Sequence, residues 1–490
     1  MSALDEIRAE RLKKLAILES KGIDAYPPTT ARTHTISAAL ASFEALSTSG
    51  EVVTLAGRVL VVRGQGAILF MDVQDGTGKF QAVLKEDEIE SSIFELFKDV
   101  VDPGDFIELT GTLFVTQKGQ QSILVTNWRM LTKSLLPLPD KFHGLQNEDE
   151  RFRKRYLDVL THDELREMFA RKEKFWDVTR NFMKQKGFME VETPTLEVTT
   201  GGAEARPFKT HHNDFDIDVF LRISVGELWQ KRLLAAGFEK IFEIGRVYRN
   251  EGTSPNHLQE FTNMEFYHAY ASYEDGMKHV EEMYRTIAQE VYGKTAFTYG
   301  EHTFDFADEW KRIDYSEEIL KQTGINLSTA SLEEITEKLK DLKVKYDGTN
   351  KERLIDTLWK YCRKNIAGPA FVINHPKLVS PLAKVVDGRG DVTQRFQPLI
   401  AGTEIGNGYT ELNNPIDQRA RFDLQQSLLE GGDEEAMMPD DEFIEMLEHG
   451  MPPACGFGFG ERLFAVLENR PLRETHFFPL MRPKIETSGE

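Results

Sequence analysis

GFEKIFEIGRVYRNEGTSPNHLQEFTNMEFYHAY, residues 237–270, contains two runs of alternating side chains around a polar connection. The runs at 240–250 and 261–270 predict an antiparallel strand pair, with 251–260 as its loop. Successive strand residues point to opposite faces. Gly245, Val247 and Arg249 therefore share one face of the first strand, and Phe261, Asn263, Glu265 and Tyr267 share one face of the second. A charged stripe on a sheet face needs water or a ligand. Arg249 could clamp a phosphate or carboxylate in bidentate fashion, Phe261 offers a flat surface for a base, and Glu265 with Tyr267 offers acceptors for an ammonium. A solvated face with a cross-strand Arg–Glu pair is the simpler account of either strand taken alone.

Farther along, EIGNGYTE at 404–411 repeats the pattern, because Asn407, Tyr409 and Glu411 occupy alternate positions. Glu404 has the opposite parity and joins that face only if a bulge at Gly406 or Gly408 re-aims it. There it could hold Mg²⁺ against phosphate oxygens or simply solvate a strand edge. GFGFG at 456–460 reads as a glycine-rich turn that enters a helix at Glu461 and projects Arg462 toward a ligand; it lacks the lysine and spacing of a phosphate-binding P-loop. Glu227 supplies a further carboxylate. Carboxylates interleaved with arginines suit a site that holds a polyanion beside an amino-rich cation, such as a nucleotide with a basic small molecule.

The chain has 490 residues, more than one hydrophobic core usually organises. With 40% hydrophobic and 29% charged residues it reads as a globular enzyme, and no apolar run approaches the roughly 20 residues that span a bilayer. The opening residues lack a signal-peptide pattern, so a cytoplasmic address is expected; Leu4, Ile7, Leu15 and Ile17 suggest an amphipathic surface helix. Cys362 and Cys455 form neither a disulfide framework nor a metal knuckle and read as buried thiols. The net charge of −20 lowers the expectation of a nucleic-acid partner, although a local basic face can coexist with an acidic body.

The domain reading follows from composition shifts. Residues 1–50 form an N-terminal helical extension. Residues 51–140 read as five strands with a small helix near 91–97, an OB-type barrel whose sheet face commonly holds single-stranded nucleic acid. The run LPLPD at 136–140 marks a boundary, and a hinge occupies 141–161. Residues 162–490 form the second domain, opened by a helix carrying Met168, Phe175, Val178 and Phe182 and stopped by Gly187. Residues 296–362 read as an inserted helical subdomain, in which Ser331-Leu332-Glu333-Glu334 has the form of a capping box. The class is α+β.

Taken together, TGGAEARPFKTHHN, the 237–270 stretch, SPLAK, GNGYTELNNPIDQRARF, GFGFGER and FFPLMRP, with RFRKRYLDVL at the hinge, resemble the signature segments of class II aminoacyl-tRNA synthetases, and within them the lysine-specific family of subclass IIb. The resemblance runs from about residue 5 to 483. It implies an OB-fold anticodon-binding domain joined to a catalytic antiparallel sheet flanked by helices, usually in a homodimer. It implies ATP-dependent activation of L-lysine and transfer to tRNA(Lys). By this resemblance Arg249 holds the α-phosphate and the substrate carboxylate, Phe261 and Arg462 sandwich adenine, and Glu251 and His257 serve the phosphates. Gly202 and Glu227 take the α-ammonium, and Asn407 assists at the carboxylate. Glu265, Tyr267, Tyr409 and Glu411 surround the lysine side chain, Glu404 holds Mg²⁺, and Arg63, Phe70 and Gln81 meet the anticodon.

This chain departs from the family pattern at four places. Gln397 stands where a second acidic metal ligand is common, leaving Glu404 as the stronger one. An extra residue falls within 224–226. Gln120 replaces a frequent glutamate, and Glu461 precedes Arg462 where aspartate is more usual. An aspartate- or asparagine-specific relative would need cations at Glu265 and Glu411. A protein-lysylating relative would lack the barrel, and a regulator without catalysis would not need Arg249, Phe261, Glu404 and Arg462 together.

Overall fold

Two compact units divide the chain, Met1–Asn147 and Glu148–Glu490. The structure is a computed structural model that describes residues 3–64, 66–139, 145–203, 205–346, 350–432 and 436–484. Asp140, residues 141–144 of the expected hinge, and Glu204 of the TGGAEARPF stretch lie outside the described residues.

In the first unit a five-stranded barrel closes in the order Val52–Arg63, Ile68–Gln74, Lys79–Lys85, Gln121–Thr132, Phe106–Val115. Period-two alternation sends Val53, Leu55, Met71, Val73, Leu84 and Ile123 inward, and the helix Ser91–Val100 seats Phe94, Phe97 and Val100 against them. Full burial of each such side chain stabilises the fold by about 1.5–3 kcal/mol. Closure bends the sheet at Gly111, where the register slips and a Cβ would strike the Leu124 carbonyl. The N-terminal helix Ala3–Ser20 departs from the expected amphipathic packing. It buries Arg11 and Leu18, while Leu4, Ile7 and Ile17 stay exposed. Ile17 lies off the stripe that 4, 7, 11, 15 and 18 define at helical spacing.

In the second unit, the sheet's main path runs Lys311–Asp314, Ala370–Ile373, Arg395–Ile400, Asn407–Thr410, Ala454–Gly460, Glu260–Ala269, Lys240–Tyr248, Met189–Glu190, with Thr403–Glu404 on the edge of the Arg395–Ile400 strand. The helices Asp163–Gln185 and Tyr273–Tyr292 contribute Phe175, Phe182, Met283 and Tyr284 to one apolar cluster with Phe266, Phe457 and Phe459. The region 148–161 folds as two short helices, Glu148–Arg153 and Arg155–Thr161.

Two sequence expectations are corrected here. GFGFG is a strand, Ala454–Gly460, and the helix begins at Arg462. Phe457 and Phe459 alternate with glycines, a period of two that outweighs glycine's preference for turns. The segment 296–362 is not helical throughout. Ala296–Tyr299 and His302–Asp305 form a hairpin, Lys311–Asp314 joins the main sheet, and helix starts only at Tyr315. Phe297, Phe304 and Phe306 pack together and hold the hairpin to the core. After it, helices Tyr315–Thr323, Leu332–Asp341 and Lys351–Arg363 enclose their own cluster, and Ser331 and Glu334 complete the capping box.

Candidate active site

The Lys240–Tyr248 and Glu260–Ala269 strands pair antiparallel, with Val247 opposite Phe261, Gly245 opposite Asn263 and Glu243 opposite Glu265. The Ala454–Gly460 strand lies on the other side of the second strand, with Gly456, Gly458 and Gly460 opposite Tyr267, Glu265 and Asn263. These glycines leave room for their neighbours' side chains. A Cβ on Gly458 would lie 2.7 Å from Glu265 Cγ, and one on Gly456 would lie 2.5 Å from Tyr267 Cε1 and strike Glu411 Oε1. The floor is thus smooth where Phe261, Asn263, Glu265 and Tyr267 rise from it.

Above that floor is a cavity of about 1080 Å³. Gly202, Glu227, Arg249, Glu251, His257, Phe261, Glu265, Tyr267, Gln397, Glu404, Asn407, Tyr409, Glu411 and Arg462 all line it. Glu404 arrives by a register change. Phe396 pairs with Gly408, but Leu399 pairs with Glu404 rather than with the residue a regular ladder would bring, so one residue is gained and the parity flips. The interruption falls at Ile405 and Gly406, between two short strands.

At one end of the cavity carboxylates converge. Glu265 accepts hydrogen bonds from Val225 N at 2.8 Å, Asn263 Nδ2 at 3.1 Å and the Tyr267 hydroxyl at 3.2 Å. Glu227 opens the helix Glu227–Ala235 behind the left-handed Gly226, accepts the Tyr409 hydroxyl, and abuts Gly202 so closely that a Cβ there would meet Glu227 Oε2 at 2.8 Å. The loop holding the extra residue is therefore anchored: Ser224 Oγ donates to Gly201 O and Gln230 Nε2 to Val225 O. Lys231, one turn along the same helix, lies 2.8 Å from Glu227 Oε1 and 2.6 Å from Glu411 Oε2. Among the described residues Glu411 Oε1 has no hydrogen-bond partner, and Oε2 has only the Lys231 ammonium. Burial, with Glu227 close by, pushes Glu265 up to about 7; burial pushes Glu411 up to about 8, against the pull of Lys231. Burial would lower Lys231, but Glu227 and Glu411 outweigh it and raise it, since one ammonium stands between two carboxylates.

The other end carries guanidinium groups. Arg249 has its guanidinium 5.4 Å from the Phe261 ring centre, and among the described residues that group hydrogen-bonds only Ile223 O, at 3.4 Å. Arg462 reaches Glu404 O at 3.5 Å. His257 rests in the exposed loop on Ser254 Oγ. Glu404 Oε1 accepts the Trp359 indole N–H at 2.6 Å, and Gln397 Oε1 is engaged by His375 Nε2 at 2.8 Å. Arg395 Nε holds Asn407 Oδ1 at 2.8 Å.

Four residues escaped the sequence reading. Lys231 was detectable, lying four after Glu227 on a helix. Arg395 shares strand parity with Gln397. Trp359 and His375 carried no local signal, because their partners lie 45 and 22 residues away.

The sequence profile described as tRNA synthetases class II (D, K and N) matches residues 147–482, and that of an OB-fold nucleic acid binding domain matches 53–131. The chain is 43% identical over 487 residues to a lysine–tRNA ligase of Roseiflexus sp. (strain RS-1), covering 98% of this chain and 99% of the relative. Similar proteins of that name occur in Moorella thermoacetica, 40% identical with 99% and 100% covered, and Thermotoga maritima, 40% identical with 98% and 97% covered. The chain belongs to the class II lysyl-tRNA synthetase family. In this synthetase the carboxylate end, the guanidinium end and the glycine-lined floor all come from the profile-matched region.

On the first unit's barrel, Arg63 lies opposite Phe70 and Asp72 opposite Gln81, all on the outer face because Leu69, Met71 and Val73 point inward. Arg63 pairs with Asp72 at 2.7 Å and Gln81 Nε2 donates to Ser122 Oγ. No described helix is long and apolar enough to cross a membrane.

Proposed function

We propose that this synthetase activates L-lysine with ATP and passes it to tRNA(Lys). The observation that carries the reading is the convergence of Glu227, Glu265 and Glu411 on one end of the cavity whose other end holds Arg249 and Arg462. A buried primary ammonium requires anionic acceptors, and these three are buried, with Lys231 as the one cation that Glu227 and Glu411 share. Glu227 with the Gly202 backbone takes the α-ammonium. Glu265, Tyr267, Tyr409 and Glu411 surround the ε-ammonium, and Asn407, steadied by Arg395, assists at the carboxylate.

ATP lies across Arg249, Phe261 and Arg462, with adenine between the Phe261 ring and the Arg462 guanidinium, and Glu251 and His257 toward the phosphates. The lysine carboxylate is already a nucleophile, so positioning and charge neutralisation supply the rate. Arg249 brings carboxylate and α-phosphate together. The carboxylate oxygen attacks the α-phosphorus as the bond to pyrophosphate breaks, giving a mixed anhydride; a terminal tRNA hydroxyl then attacks its acyl carbon, forming the ester as the bond to AMP breaks.

Among the described residues no cluster of three or more His, Cys, Asp or Glu side chains forms a metal cage. Glu404, a hard oxygen donor lining the cavity, would hold Mg²⁺ beside the phosphates. Gln397, its oxygen held by His375, is a weaker candidate. When bound, the ion neutralises the leaving pyrophosphate. On the barrel, Phe70 stacks an anticodon base while Arg63 and Gln81 meet its backbone and edge. A homodimer and a cytoplasmic location complete the proposal, in keeping with the family.

Lysine-dependent exchange of labelled pyrophosphate into ATP tests the reading, with aspartate, asparagine and ornithine as competitors. Exchange should require lysine. Equal exchange with aspartate would overturn the substrate assignment.

A further inference from the structure

Behind the carboxylate end lies a cation that does not reach the cavity. Lys231 is fully buried, is absent from the cavity lining, and sits 5.4 to 5.9 Å from the ring centres of Tyr409, Tyr267 and Phe443. Its ammonium contacts Glu227 and Glu411 from the side away from the cavity, while those same two carboxylates line the cavity. Glu265 is held separately by Val225 N, Asn263 and Tyr267. Once all three carboxylates are ionised, they and one ammonium leave two uncompensated negative charges. A substrate with an ammonium at each end carries two positive charges.

We propose that Lys231 is a positioning and specificity-setting residue: from behind the wall it holds Glu227 and Glu411 in place and cancels one of three negative charges, so that the site matches an α,ω-diamino acid. The inference rests on the lysine-activation reading above. Its physical basis is that a buried carboxylate without a cationic partner takes up a proton instead. Without Lys231 an additional proton would compete with the substrate's ammonium. The titratable groups that interact with Glu411 are Glu227 and Lys231 from one helix, Glu265 and Tyr267 from one strand, Cys455 on the helix-facing side of the strand paired with it, and Tyr409 from the strand beyond. Lys231 is the only cation among these six.

The test is lysine-dependent pyrophosphate exchange between pH 6.5 and 9.5 for the wild type, Lys231→Met, Lys231→Arg and the double variant Lys231→Met/Glu411→Gln, each checked by thermal melting. Lys231→Met should raise the lysine KM at least about tenfold, keep the ATP KM within about twofold, and move the half-point of kcat/KM for lysine upward by about one pH unit. The double variant again has two uncompensated charges, so its half-point should return toward the wild-type value. Lys231→Arg keeps the charge and should raise the KM without moving the half-point, which preserves the test if Lys231→Met does not fold. Lysine and ATP KM rising together, an unmoved half-point in Lys231→Met, a double variant that stays at the Lys231→Met position, or a half-point shifted in Lys231→Arg would each overturn the proposal. A wild type that shows no lysine-dependent exchange would instead sink the functional reading on which it rests.

Discussion

Glu411 is 1% exposed, and among the described residues the Lys231 ammonium, 2.6 Å from Oε2, is its one ion-pair partner, so that Oε1 is left for a ligand to satisfy. Glu411→Gln should therefore raise the lysine KM by one or two orders of magnitude, at about 1.4 kcal/mol per decade, with ATP binding nearly unchanged. Equal losses for both ligands in steady-state exchange kinetics would place Glu411 elsewhere. Protonation adds a second expectation. With Glu265 pushed up to about 7 and Glu411 to about 8 in the empty site, lysine must displace protons, so its KM should climb as pH falls from 8 toward 7 while the ATP KM stays level. Stability carries the same signature. Both groups have folded values above their unfolded ones, so their contribution is full below about pH 4.5 and is lost as pH rises through 7 to 8. Glu197, pushed up to about 8 by burial, adds to it. The melting temperature of the empty enzyme should drop between pH 6 and 9, and saturating lysine should flatten that drop; an unchanged slope in calorimetry would refute the shifts.

At the scale of elements, the Ala454–Gly460 strand decides the shape of the carboxylate end of the cavity. Its phenylalanines face the helices and its glycines face the carboxylates. Gly456→Ala would push a methyl against Glu411 and Tyr267, an overpacking that costs about 1–3 kcal/mol. Lysine KM should rise at least about tenfold with a lowered melting temperature; a variant with wild-type lysine KM would show that the strand can yield. The helix Lys351–Arg363 acts on the opposite end, because Trp359 donates to Glu404. Trp359→Phe should raise the Mg²⁺ concentration needed for half-maximal exchange and leave the lysine KM alone. The strand pair 240–250 and 261–270 was legible because alternation with a polar loop has few other readings. The glycine strand was not, since glycine signals turns locally and its partners on both sides come from distant sequence. The hairpin at 296–305 was hidden for a related reason: four-residue strands carry too few alternations to outweigh helical text nearby.

For the molecule as a whole, two compact units make separable functions testable in one chain. Phe70→Ala should weaken tRNA charging by about tenfold or more, the scale of one lost base–aromatic stack, and spare lysine-dependent pyrophosphate exchange. Loss of both activities together would remove the barrel face from the anticodon role. Sequence alone determined that there is an α+β chain with an OB barrel ahead of a synthetase sheet, and it singled out arginines and glutamates that line one cavity, because periodicity and signature segments are local properties of the text. Only the tertiary structure decided how those side chains are aimed. The one-residue slip that turns Glu404 into the cavity, the glycine floor under Glu265 and Tyr267, and the Lys231 ammonium behind Glu227 and Glu411 depend on contacts between strands and helices far apart in sequence. Register and charge compensation are properties of neighbours in space, and a linear order of residues does not specify those neighbours until the chain has packed.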